Sequence, residues 1–229
     1  MLWQEEEPQT AATTAQTVVD LVFDMTCRCL PVDHAWVLSQ AIQQALPWFE
    51  PDPVAGVHLI HGAESGNGWY RPDEQGSLLY LSRRTKLTLR LPKHRIEEAR
   101  SLTGTTLELG DYPLTVGKAS EKPFQPMPVL FARHVLAEPQ QDEDAFLDSA
   151  VEQLQQMGIH CRKALCGKTY RFNWADKELF TRSLMIADLT PPDSLTLQEQ
   201  GLGEGRKMGC GLFVPHKDIK PVNPDEKNH

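Results

Sequence analysis

The sequence predicts an α+β protein made of two tandem ferredoxin-like units. Apolar residues recur with period two in some stretches and with 3–4 spacing in others, the marks of strands and amphipathic helices. These stretches fall twice into the order β-α-β-β-α-β. A polar stretch with three prolines, 119–128, stands between the two sets. A chain of 229 residues is long for one minimal domain and suits two small ones. The plainer alternative is a single mixed α+β domain.

Residues 17–25 place Val19, Leu21, Phe23 and Met25 on one face and Asp20 and Asp24 on the other, a half-buried strand. Asp33 is a suitable N-cap for a helix through Leu46, whose apolar stripe is Leu38, Ala41, Ile42 and Ala45. Pro47 ends it, and Gly62 to Gly68 reads as an irregular loop. Strands follow near Leu78–Ser82 and at Thr85–Leu91. The second points Leu87, Leu89 and Leu91 one way and Lys86, Thr88 and Arg90 the other. A short helix at Lys93–Leu102 stops at Gly104, and strand material at Thr105–Leu109 and Leu114–Lys118 completes a first unit spanning 17–120.

The second unit, 127–217, opens with a strand at Val129–Leu136. A helix at Asp142–Met157 carries Leu147, Val151 and Leu154 on one face, with Gly158 as its stop. Strands near Lys168–Asn173 and Leu179–Leu189, a helix at Asp193–Gln200 and a last strand at Cys210–Pro215 follow. Residues 1–16 and 218–229 read as disordered tails.

The net charge of −8 argues at first against a nucleic-acid partner, but the acidity is local. Residues 138–153 hold six carboxylates and no Lys or Arg, whereas 71–95 hold seven cations against two acids. Residues 159–171 add Arg162, Lys163, Lys168 and Arg171 with no acid. No apolar run approaches the roughly 20 residues a membrane span needs, and the acidic N-terminus is unlike a secretory signal. The expected compartment is the cytoplasm, with no membrane contact. Five cysteines form an odd set at spacings unlike common zinc sites, which speaks against a disulfide framework and a metal.

Residues 201–211 hold five glycines, Gly201, Gly203, Gly205, Gly209 and Gly211, around Arg206 and Lys207. Dense glycine lets a backbone approach a ligand closely, and backbone N–H groups with two cations could converge on phosphate. A dinucleotide fingerprint needs a strand before and a helix after; here the order is reversed. A Walker A loop needs Gly-Lys-Ser/Thr, which residues 201–211 lack.

A Gly-x-Gly-x-x-Arg-x-x-Gly-x-Gly loop between the last helix and last strand of a tandem ferredoxin-like chain resembles the RAMP superfamily. More narrowly, the chain is similar to the CRISPR precursor-RNA processing endoribonucleases of the myxan subtype. The matching stretches begin at Cys29-Leu-Pro-Val-Asp-His-Ala and continue at Ile60-His-Gly-Ala-Glu-Ser-Gly-Asn-Gly-Trp69. They resume at Leu81-Ser-Arg-Arg-Thr-Lys86, Thr181-Arg-Ser-Leu-Met185 and 201–216.

The resemblance implies metal-independent cleavage without any cofactor: a ribose 2′-OH attacks the adjacent phosphate, leaving 2′,3′-cyclic phosphate and 5′-OH ends. It implies repeat RNA as partner, precursor and mature guide alike, with other effector-complex subunits as further partners. A non-catalytic RNA-binding subunit of the same fold is the alternative, and a small-molecule-binding ferredoxin-like protein a remoter one. Such a reaction needs a base, an acid and positive charge on the phosphate oxygens, and histidine suits both proton roles. The resemblance places a general-base histidine after the first helix, which selects His61; a loop histidine that only makes hydrogen bonds is the alternative. His34, at the start of that helix, is the second candidate, with support of the helix start as its other reading. His58 is out of phase with His61, and His94, His134, His160, His216 and His229 receive no role.

Relatives also carry a tyrosine on the first helix and a lysine after the histidine. This chain has Gln43 at the first place, and only Asn67 or Arg71 near the second, so the general acid stays open. Arg83, Arg84, Lys86 and Arg90 form the best basic stripe for RNA, Arg84, Lys86 and Arg90 sharing a parity; a solvated sheet face is the alternative. Trp69 and Tyr70 could stack an unpaired base. The paired units would then form a cationic cleft that aligns a ribose hydroxyl with its own phosphodiester.

Overall fold

The computed structural model describes residues 16–61, 77–175 and 177–216. The first unit runs β1 (Val18–Thr26), β2 (Cys29–Pro31), α1 (Ala35–Ala45), β3 (Gly56–His58), β4 (Leu78–Tyr80) and β5 (Lys86–Pro92). A 3₁₀ turn at Lys93–Arg95 then leads into α2 (Ile96–Arg100), β6 (Thr106–Leu109) and β7 (Tyr112–Lys122). The second runs β8 (Leu130–Ala137), α3 (Glu143–Gln156), β9 (Lys163–Trp174), β10 (Lys177–Ala187), α4 (Pro191–Gln200), a 3₁₀ turn at Arg206–Met208 and β11 (Val214–Pro215).

Among the described residues the first sheet has the order β3-β5-β1-β7-β6 and the second β11-β8-β10-β9. In each, the first strand lies inside, flanked by the strands before and after the second helix, which is the ferredoxin-like arrangement. Alternation explains the faces. Val19, Leu21 and Phe23 of β1 and Leu87, Leu89 and Leu91 of β5 are fully buried against Leu38 and Ile42 of α1 and Ala99 of α2. A second core gathers Leu130, Ala132, Leu184 and Ile186 under Phe146, Leu154 and Leu197. A smaller cluster of Ala35, Met208 and Cys210, with Trp36, Leu59, Leu136 and Leu179 against it, joins the two units. Among the described residues no helix is long and apolar enough to cross a membrane.

Several elements depart from expectation. The stretch near Leu78–Ser82 is not a strand of the main sheet: among the described residues β4 pairs with β2 alone, Cys29 opposite Tyr80 and Pro31 opposite Leu78. The place expected for it is taken by β3, three residues paired to β5. A three-residue strand is too short to show alternation. Asp33 does not cap α1; His34 occupies that position without a side-chain cap. β7 continues to Lys122, which shortens the linker, because Ser120 and Lys122 still pair with Val22 and Asp20. β9 is twelve residues rather than six, and the last strand is only Val214–Pro215, the residues before it belonging to the Gly-rich loop. Expectation and structure agree closely at the ends of α3, where the Asp142 side chain accepts the Ala145 N–H and Gly158 follows at φ +76°, but the buried face is Phe146, Ala150 and Leu154, with Leu147 and Val151 only partly covered.

Candidate functional site

The start of α1 carries one expected catalytic histidine, His34, and holds the backbone next to the other, His61. His34 is buried. Its Nδ1 lies 2.9 Å from the Pro31 carbonyl, and its Nε2 accepts the Ile60 N–H at 3.1 Å. An acceptor Nε2 with a donor Nδ1–H is the neutral imidazole, with both nitrogens occupied. This geometry favours support of the helix start, the other reading of His34, over proton transfer. What it holds is informative: the bond to Ile60 fixes the backbone one residue before His61, which is half-buried.

Two further contacts close over this helix end. Asp33, freed from capping, accepts hydrogen bonds through Oδ2 from the Asn173 backbone N–H at 3.0 Å and from Asn173 Nδ2 at 2.6 Å. Trp36 on the first turn meets Trp174 at the end of β9, ring centroids 6.5 Å apart. The β9–β10 hairpin is thereby pinned beside α1. The sequence gives neither Asn173 nor Trp174 a place at the site, since a contact spanning 140 positions leaves no local signal.

The basic stripe is redistributed. Arg90 is fully buried, bonded through Nε and Nη2 to Asp20 at 2.8 and 3.0 Å and through Nη1 to the Gln198 and Phe213 carbonyls at 2.8 and 2.9 Å. It cannot reach RNA, which corrects that assignment. The shared parity was sound: Asp20 and Asp24 lie opposite Arg90 and Lys86 across β1 and β5. That face is covered by the second unit at Arg90, while Lys86 pairs with Asp24 nearer solvent. Arg83 and Arg84 are exposed, in the turn before β5 rather than on it. His58 Nε2 lies 3.3 Å from Asp20 Oδ1. Burial pushes the His58 pKa down against the pull of Asp20. Burial would raise that of Asp20, but His58 and Arg90 together hold it well below the carboxylate range. Gly62–Gly68, Asn67, Trp69, Tyr70 and Arg71 lie outside the described residues.

The Gly-rich loop is built inward. Gly201 and Gly211 both have positive φ, and a Cβ on Gly211 would overlap the Leu202 carbonyl, so close backbone pairing demands glycine there. Arg206 is 7 % exposed. It donates to the Glu199 and Gln200 carbonyls, and to the Val54 carbonyl of the first unit at 2.8 Å. The last four carbonyls of α4 are thus all satisfied: Leu197 by the Gly201 N–H, Gln198 by Arg90, and Glu199 and Gln200 by Arg206. Lys207 donates to the Asp52 and Ala55 carbonyls over the Phe49 ring. Burial lowers the pKa of Arg206 to about 10 and that of Lys207 to about 8. The two cations expected to hold phosphate instead fasten the loop and join the units.

Between α1 and this loop lies a groove of about 440 Å³. Its walls include Glu50, Asp52 and Glu204, so the cationic cleft expected between the units is not found on this side. Exposed cations gather on the β9–β10 hairpin instead, at Lys168, Arg171 and Lys177.

Residues 19–218 match the family described as Cas6 Crispr. The chain belongs to the Cas6 family. A relative from Myxococcus xanthus (strain DK1622), the CRISPR-associated endonuclease Cas6, is 32 % identical over 197 residues, covering 86 % of this chain and 81 % of the relative. Solved Cas6 structures share the fold. A CRISPR-associated protein Cas6 superposes with TM-score 0.58 at 12 % identity, covering 87 % of this chain and all of that one. The product of a Cas6-related gene from Pyrococcus furiosus gives 0.59 at 13 % identity over 86 % of this chain and 98 % of its own. Within this Cas6-family fold, the candidate site is the α1 start, with His61 behind it and the hairpin tip beside it.

Proposed function

We propose that this Cas6-family endoribonuclease cuts CRISPR precursor RNA within its repeats by attack of a ribose 2′-OH on the adjacent phosphodiester, with His61 as general base. The observation that supports His61 is the bond from His34 Nε2 to the Ile60 N–H, which fixes the backbone next to it on a rigid helix start. A base held in place needs no reorganisation when it takes the 2′-OH proton. Attack on the neighbouring phosphate expels the 5′-oxygen and leaves a 2′,3′-cyclic phosphate. Exposed Arg83, Arg84, Lys168, Arg171 and Lys177 supply the phosphate contacts that bind the substrate and retain the guide RNA after cutting. The reaction takes place in the cytoplasm, and the bound product carries the protein into an effector complex.

The test is incubation of a repeat transcript with the protein in excess EDTA. Cleavage persists, and a 2′-deoxy substitution at the nucleotide 5′ of the cut abolishes it. His61→Ala lowers the single-turnover rate by about 10²–10⁴-fold with affinity changed only a few-fold. Undiminished cutting by that variant would remove His61 from the mechanism.

A further inference from the structure

The groove beside α1 has the wrong chemistry for a phosphate and the right chemistry for a base. Trp36, Gln40 and Gln43 line it from one face of α1, at the i, i+4 and i+7 positions. Trp174, 41 % exposed, stands at its mouth and leaves indole surface open. Glu50 and Glu204, both exposed, face it from the two loops opposite. Arg206 and Lys207 border it too, but their N–H groups are turned onto the carbonyls of residues 52, 54, 55, 199 and 200. An anion entering would meet carboxylates, with no free cation among the described residues of the lining to offset them. A flat neutral ring meets indole to stack on, amides that donate and accept, and carboxylates that only accept.

We infer that this groove holds one unpaired guanine of the repeat RNA, next to the cleavage position, stacked on Trp174 and read by Gln40, Gln43, Glu50 and Glu204. This deepens, and rests on, the reading of the chain as a repeat-RNA nuclease. Guanine alone among the four bases presents two adjacent donors, N1–H and N2–H₂, to a carboxylate, while its O6 and N7 accept from an amide. Uracil offers one donor, N3–H, and adenine and cytosine offer one exocyclic amine each. The volume, about 440 Å³, lies in the range of small-ligand sites, roughly 300–1,000 Å³. The location fits as well: Trp36 sits on the first turn of α1, two residues from His34, whose ring holds the backbone before His61. Glu50 and Glu204 then select the base and repel the backbone, so the phosphates run along the rim.

The experiment uses the full chain and four 5′-fluorescein hexaribonucleotides, UUGUUU, UUAUUU, UUCUUU and UUUUUU, read by fluorescence anisotropy. UUGUUU is expected to bind about fivefold or more tighter than the other three, the lower end of the discrimination one bidentate contact to a base edge supplies. Trp174→Ala brings UUGUUU down to the UUUUUU value, and Trp174→Phe keeps the preference. Glu50→Gln and Glu204→Gln, surface changes that leave the fold intact, each reduce the preference without weakening UUUUUU. Indistinguishable affinities, equal binding of UUAUUU and UUGUUU, or a guanine preference that survives Trp174→Ala would overturn the assignment. Cleavage of the repeat transcript is followed in parallel. Cutting without any guanine preference removes the pocket and leaves the nuclease; a guanine preference without cutting does the reverse.

Discussion

Arg90 is a cation spent entirely on structure. With its guanidinium fork on both oxygens of Asp20 and Nη1 between two carbonyls of the second unit, it satisfies a buried charge on every side. Arg90→Ala would leave the Asp20 carboxylate buried without its partner, at a cost of about 3–5 kcal/mol. Urea unfolding followed by circular dichroism measures it, and a loss below about 1 kcal/mol would mean that water reaches Asp20. The sequence carried half of this. Alternation placed Lys86 and Arg90 on one face of their strand, and Asp20 and Asp24 on one face of theirs. What covers that face comes from 108 and 123 positions away, beyond the reach of periodicity. The same holds for His34, whose reading as a support of the helix start stood open until its ring was seen bonded to Ile60.

At the scale of elements, legibility follows length. α3, with a capping Asp142, a three-residue apolar stripe and a terminal glycine, reads within a residue of its observed ends, and β1 and β5 read nearly as well. β2 and β3, three residues each, did not, because their pairing is decided by what lies alongside. The Gly-rich loop was visible as composition, while the roles its geometry gives it were not: Gly201 and Gly211 allow close backbone pairing, Arg206 closes the end of α4, and Lys207 fastens the loop to the first unit. Gly211→Ala tests this. A Cβ at φ +67° would strain the backbone and strike the Leu202 carbonyl, so a loss exceeding about 1 kcal/mol is expected in the same unfolding measurement. The loss of RNA cutting in that variant should track the loss of folded protein. Full stability with lost cutting would instead return the loop to the phosphate-binding role first expected of it. Asp142→Ala should cost about 0.5–2 kcal/mol by removing the cap on the Ala145 N–H, with cleavage untouched at a temperature where the variant is folded.

The whole molecule depends on a junction made of charged groups, and that gives its stability a pH dependence of definite sign. Arg90 of the first unit, held by Asp20 with His58 beside it, bonds Gln198 and Phe213 of the second, while Arg206 and Lys207 of the second hold Asp52, Val54 and Ala55 of the first. The native pKa of His58 lies below its ordinary value, so in the window beneath about pH 6.5 the unfolded chain binds a proton that the folded chain refuses. Stability therefore falls as pH drops through that window. Asp20, also held below its ordinary value, extends the fall beneath about pH 3.8. Lys207 acts at the other end. With a native pKa of about 8 against 10.5 unfolded, it penalises the folded state wherever it is charged, and rising pH relieves that penalty between those values. Thermal melts should thus show lower stability at about pH 5 than at pH 7, and His58→Gln should flatten that slope. Lys207→Met should flatten the rise above about pH 8 and leave the acid limb alone. Parallel acid limbs in wild type and His58→Gln would mean that His58 takes its proton inside the folded junction, where Asp20 rather than burial would then govern it.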